Sequence, residues 1–158
     1  MSATRDDISS YEVYVTSLRP NPILFGENGT HWAIMIAHPG MEYGTMYHII
    51  RCRRQAKLDT YERHVRSFKP LDGDEVIKKR RIATIQSTDI DRFNTILASV
   101  PLRDSQIWDL EHRNTDPYQF NSEKWTLEVV VGLEDWQMVP YGTSIFLDMN
   151  SFHVGDFR

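Results

Sequence analysis

The sequence predicts an α+β domain in which an antiparallel sheet of about five strands packs against a central helix starting near Ser122. Three observations predict it. Five segments between Tyr11 and Ile85 are rich in β-branched and aromatic residues and are parted by turn-forming Gly, Pro and Asp. Two later segments repeat apolar residues at helical spacing. At 158 residues, with 41% hydrophobic and 25% charged side chains, the chain has the length and composition of one globular core, so residues 1–158 are read as a single domain.

YEVYVTSL, from Tyr11 to Leu18, alternates in part and is stopped by RPNP, which predicts a first strand followed by a loop through Gly29. HWAIMIA begins at His31 as a continuous apolar run closed by Pro39-Gly40, and TMYHIIRC follows GMEYG. These two predict a hairpin with a longish loop. ERHVRSFKP and VIKKRRIATI, joined through LDGDE, predict two further strands. In STDIDRFNTILASVP the spacing of Ile90, Phe93, Ile96, Leu97 and Val100 predicts a helix capped by Ser87 or Thr88 and ended by Pro101. The aperiodic stretch from Leu102 to Gln119 predicts a long surface connection. A second helix is expected from about Ser122 to Trp136, with Trp125, Leu127, Val129, Val130, Val131 and Leu133 wrapping much of its circumference, as in a helix packed centrally against the sheet. The tail YGTSIFLDMNSFHV reads as a strand or an ordered extension.

A net charge of −4 supplies no basic field, so nucleic acid is not expected as a partner. Cys52 is the only cysteine, which excludes an internal disulfide and fits a reducing, cytoplasmic location. MSATRDDISS has no apolar core of the signal-peptide kind, and no stretch approaches the roughly 18 apolar residues of a membrane span. The expected partner is a small-molecule or lipid-like substrate, and the oligomeric state stays open.

His31 at the start of one hairpin strand and His48 inside the next are close enough in the predicted pairing to touch. Histidines at a strand edge and on a solvated face give the same pattern without chemistry. Ser122 at a helix start changes the balance, because first-turn amides stabilise a developing negative charge there. Asn121 or Ser122 as a simple helix cap is the competing account. His64, His112 and His153 stand isolated and His38 lies beside Pro39, so neither a metal nor another cofactor is expected. Arg51 to Arg54 and Lys78 to Arg81 form basic clusters on neighbouring predicted strands, where a solvated face competes with a site for an acidic group.

HWAIMIA, then YHII, then NSEKWT resemble, in order, the histidine and nucleophile boxes of the lecithin:retinol acyltransferase superfamily, which is similar to NlpC-type peptidases and, through circular permutation, to papain. Some uncharacterised fungal proteins share the HWA start and a Cys-x-x-Trp helix entry, which Ser122-Glu123-Lys124-Trp125 matches with one substitution. The resemblance covers roughly Asn28 to Trp136. It implies a permuted papain-like fold, with His31 as general base, His48 orienting and polarising it, and Ser122 at the nucleophile position. Trp32, Tyr47, Asn121 and Trp125 would line the substrate site. The departure is serine where the family has cysteine: a hydroxyl does not ionise readily and needs its proton removed during attack. Ser122 is thus a working nucleophile, an engineered replacement of cysteine, or a natural loss.

The expected function is acyl transfer or hydrolysis at an ester, thioester or amide of a small or lipid-like metabolite. The polar ending SFHVGDFR turns the expectation from bulk membrane toward a soluble metabolite. A non-covalent cyclase or isomerase using His31 and His48 as acid and base is the second expectation, and a catalytically inactive binding module the third.

Overall fold

The computed structural model describes residues 9–25, 30–55, 58–102, 105–106 and 121–149. Strands β1 (Ser10–Leu18), β2 (His31–Ala37), β3 (Tyr43–Gln55), β4 (Leu58–Pro70), β5 (Val76–Gln86) and the two-residue β6 (Ser105–Gln106) form one sheet in the order β5-β1-β2-β3-β4-β6. Every pairing is antiparallel. Helices α1 (Pro22–Phe25), α2 (Ile90–Ser99), α3 (Ser122–Asp135) and α4 (Thr143–Met149) complete the α+β architecture expected of the five long strands.

The continuous apolar run of β2 is explained by burial on both faces. Trp32, Ile34 and Ile36 join a core with Phe93, Ile96 and Leu97 of α2 and Trp125, Val129, Val130 and Leu133 of α3. Ala33, Met35 and Ala37 point the other way, into a second cluster with Leu18, Phe25, Met46, Leu71 and Val76. Strand residues alternate between faces, so only an all-apolar strand can serve two cores. The hairpin between β2 and β3 is turned at His38-Pro39-Gly40-Met41, closed by the Met41 N–H donating to the His38 carbonyl at 3.1 Å. Gly40 takes φ +80° there, the value of the third position in a type II turn, where glycine meets no steric cost.

The β2–β3 ladder is short, pairing only Ile34 with Tyr47, Met35 with Met46 and Ile36 with Thr45. Its tight end lies at Gly44, where an added Cβ would run into the Ile36 carbonyl oxygen. Both residues belong to paired strands, so neither backbone can swing away. Gly44→Ala is therefore expected to cost about 1–3 kcal/mol and to lower the urea midpoint without changing its slope. An unchanged midpoint would show that this corner opens freely.

Four details depart from the sequence-based expectations. The loop after β1 contains the short helix α1, whose entry is held by Asn21 Oδ1 accepting the Leu24 N–H at 3.0 Å. Neither Ser87 nor Thr88 caps α2: Ser87 to Asp89 form a 3-10 turn without a side-chain cap, because Ser87 still donates its N–H to Ser9 across from β1 at 2.7 Å. In α3 the buried stripe is Ser122, Trp125, Thr126, Val129, Val130 and Leu133, while Val131 is exposed. That helix buries one face, which includes polar residues, where the apolar spacing predicts burial over much of its circumference. The tail forms α4 between Thr143 and Met149, not a strand. Ile145 and Phe146 gave it a strand-like look, yet both are exposed and Leu147 is the residue that enters the core. Of the long connection expected over Leu102–Gln119, only Leu102 and β6 are among the described residues; His112 and His153 lie outside them.

The basic clusters sit on β3 and β5, which are separated by β1 and β2 rather than adjacent. Lys79 pairs with Asp72 at 2.8 Å and Arg81 with Glu12 at 3.1 Å, so part of the β5 charge is already neutralised within the fold.

Candidate active site

Beyond Ile34 the two hairpin strands part, and His31, Trp32 and Ala33 pair with β1 alone. The start of α3 meets this opening. Asn121 is the helix cap, its side-chain oxygen accepting the Lys124 N–H at 2.8 Å. That leaves Ser122 as the first helical residue with its hydroxyl turned to another task. Ser122 Oγ accepts the main-chain N–H of Trp32 at 3.1 Å, tying the helix start to the residue next to His31 across 90 positions of sequence. Of the two candidate caps Asn121 is the one used, so the oxygen of a residue also expected at the substrate site is engaged within the helix.

His31 and His48 come into direct contact, with Nε2 of His31 2.8 Å from Nδ1 of His48 and the rings nearly perpendicular at 83°. Phe25 of α1 stacks flat on His31, centroid to centroid 3.8 Å, and meets His48 edge-on at 5.8 Å. Both imidazoles are 0% exposed and Ser122 is 1% exposed. Three polar groups of this kind in an interior carry a desolvation cost that their hydrogen bonds, His31 with His48 and Ser122 with the Trp32 main chain among them, must offset.

Burial drives the His48 pKa down to about 3, helped by the nearby positive charge that His31, His64, Arg66 and Lys69 can carry. His48 is thus a neutral imidazole at pH 7. For two neutral rings, two proton placements satisfy the 2.8 Å contact. With the His48 proton on Nδ1, His48 donates to His31 Nε2 and the His31 proton must sit on its own Nδ1. With the His48 proton on Nε2, His48 accepts from His31, whose Nδ1 then holds a lone pair and can act as a base. The second placement puts an N–H at His48 Nε2, which is buried and has no hydrogen-bond partner among the described residues. Leaving such a donor unsatisfied costs about 1–3 kcal/mol.

A cleft of about 360 Å³ opens beside this pair. Its buried members are His48, Leu97 and Trp125, and its exposed members include Arg63, Val65, Asn94 and Ala98. Tyr47 lines it too, its hydroxyl donating to Asn94 Oδ1 at 2.8 Å. Trp32 does not line it but is packed in the core against α3. The sequence reading left His64 isolated, yet the β3–β4 register sets it opposite His48, with ring centroids 6.0 Å apart. Arg63 and Asn94 were also missed. A strand pairing of His48 with ERHVR, written out residue by residue, was the signal that would have found the first two. His38, by contrast, is occupied with the Ser10 carbonyl at 2.8 Å and stacked on Tyr11. Among the described residues no group of three His, Cys, Asp or Glu is placed to hold a metal ion, and no helix is long and apolar enough to cross a membrane.

A model of a family of unknown function, DUF6540, matches residues 21–140, and the chain belongs to that family. The matched span holds all three site residues and both hairpin strands. Neither a curated protein nor a solved structure matches the chain.

Proposed function

We propose that the protein is an acyl-transfer or hydrolytic enzyme on a permuted papain-like scaffold, acting on an ester, thioester or amide of a small or lipid-like metabolite. The observation that carries this reading is the joining of one buried histidine pair to the start of one helix: His31 bonded to His48, and Ser122 bonded to the residue after His31. A serine at a helix start, a base and an orienter are the parts a nucleophilic hydrolase needs.

In the proposed reaction the Ser122 oxygen attacks the carbonyl carbon as its proton passes to Nδ1 of His31, since Nε2 of that ring is engaged with His48. The oxyanion develops near the positive end of α3, which favours it. The leaving alkoxide, thiolate or amine takes the proton from His31, leaving an acyl-serine. Water or a second acceptor then attacks with His31 again as base, releasing the acid or the transferred acyl product and restoring the serine hydroxyl. His48 stays neutral throughout and holds the His31 ring in place.

That neutrality weighs against the cyclase or isomerase alternative with His48 as acid. A group with pKa about 3 carries a proton in roughly one molecule in ten thousand at pH 7. The test is a fluorophosphonate probe followed by mass mapping. A single adduct on Ser122, absent from Ser122→Ala, is expected; an unlabelled wild-type protein would remove the covalent reading and leave the non-covalent enzyme or the binding module.

A further inference from the structure

Two side chains that line one cleft each carry a nitrogen with the same property. His48 Nε2 and the indole Nε1 of Trp125 are both buried, both without a hydrogen-bond partner among the described residues, and both belong to side chains that line the 360 Å³ cleft between α2, α3 and the β3–β4 edge. The indole N–H can only donate, and His48 can donate from Nε2 if its proton is placed there. Native interiors rarely leave such groups unmatched, so a pair of them in one concavity calls for an acceptor from outside. Leu97, Val65 and Ala98 make the rest of that surface apolar. Arg63 adds a charge: it is held by the Val100 carbonyl at 2.5 Å and meets no carboxylate among the described residues.

We propose that this cleft is the acyl-binding site, taking a compact, mostly apolar acyl group by its oxygen through the N–H groups of Trp125 and His48, and holding the free acid released by hydrolysis as a carboxylate beside Arg63. The inference rests on the acyl-transfer reading for the name of its ligand and deepens it in two ways. The substrate class narrows to acyl groups small enough for about 360 Å³, at the low end of ligand-pocket volumes. The ligand also sets the base: an oxygen acceptor at His48 Nε2 draws the His48 proton to that nitrogen, His48 Nδ1 then accepts from His31 Nε2, and the lone pair appears on His31 Nδ1. No atom is gained or lost. One proton on each ring changes nitrogen. Catalytic competence is thereby tied to an occupied cleft, and His48 acts as a positioning residue rather than a catalytic one.

The experiment uses Ser122→Ala protein, which cannot be acylated, with hexanoate and benzoate as probes and hexylammonium as the charge-reversed control. The chain has four tryptophans, so the indole N–H signals in a ¹⁵N–¹H spectrum are few, and Trp125→Phe assigns the one of interest. The expected result is a saturable shift of the Trp125 indole with both carboxylates and not with hexylammonium, together with ¹⁵N shifts that move the His48 proton from Nδ1 to Nε2. Arg63→Gln should weaken carboxylate binding about tenfold. If Trp125→Phe does not fold, Ala98→Trp, which obstructs the cleft from its exposed side, must abolish the shift. An indole unmoved by either carboxylate, or moved equally by hexylammonium, overturns the proposal. A fluorophosphonate adduct on Ser122 with a silent cleft would overturn this inference alone; a saturable carboxylate shift without any adduct would overturn the covalent reading and leave a carboxylate-binding cleft.

Discussion

Hydrolysis of a p-nitrophenyl ester is expected to fall by about 10² to 10⁴ in kcat/KM when His31 is replaced by glutamine, with a similar loss in Ser122→Ala. The size follows from the role: without His31 the serine proton has no acceptor at the moment of attack. Similar losses are expected because a nucleophile and its base act as one unit, and removing either forfeits most of what both contribute. Glutamine is the replacement of choice for the first test. The imidazole is fully buried, bonded to His48 and stacked on Phe25, so His31→Ala would leave a cavity and orphan a buried nitrogen as well as remove the base. Circular dichroism and a denaturation midpoint close to wild type would establish that the loss is chemical. A His31→Gln protein that keeps its activity would end both enzyme readings, and a large loss in His31→Gln beside an intact Ser122→Ala would move the site to non-covalent proton transfer.

The architecture was legible because its strands carry their reasons locally. After His31, HWAIMIA is apolar throughout since β2 feeds two cores, and the Pro39-Gly40 pair after it is a strong turn signal. Of the two readings of the tail, strand or ordered extension, the strand fails: α4 is a helix held by the buried Leu147 and by the Ser144 N–H donating to Glu134 of α3, contacts with no local sequence signal. At the site, the histidine pair and the serine could be named from motif order. Their roles could not. Whether Ser122 or Asn121 caps α3 is decided by which side chain reaches Lys124 N and which reaches Trp32 N, and the second partner lies 90 residues upstream. His64 was lost for a related reason: a histidine flanked by arginines reads as solvated surface until a register sets it across from His48. The two unmatched nitrogens of the cleft have no sequence signature at all, because being unmatched is a property of the packed interior.

Acid should destabilise this protein through His48 in a window set by its pKa. Burial holds the folded-state value near 3, while in the unfolded chain the ring returns to about 6.5. Between those values the unfolded state binds the proton and the folded state does not. The stability contributed by a neutral buried His48 is therefore complete above about pH 6.5 and is lost as pH falls toward 3, with a slope approaching about 1.4 kcal/mol per pH unit. Over the whole window that reaches several kcal/mol, a large share of what holds a domain of this size folded. The clean interval is pH 5 to 6.5, where most carboxylates remain ionised in both states and their own linkage contributes little. Urea unfolding in that interval is expected to show a wild-type free energy that falls with acid and a His48→Gln free energy that falls markedly less, the difference between the two curves isolating the one ring. Parallel curves would mean that His48 takes up its proton in the folded protein near neutral pH. In that case His31 would face a cation rather than a neutral acceptor, the hydrogen bond that orients it would lose its acceptor, and the base would have to be sought on another nitrogen.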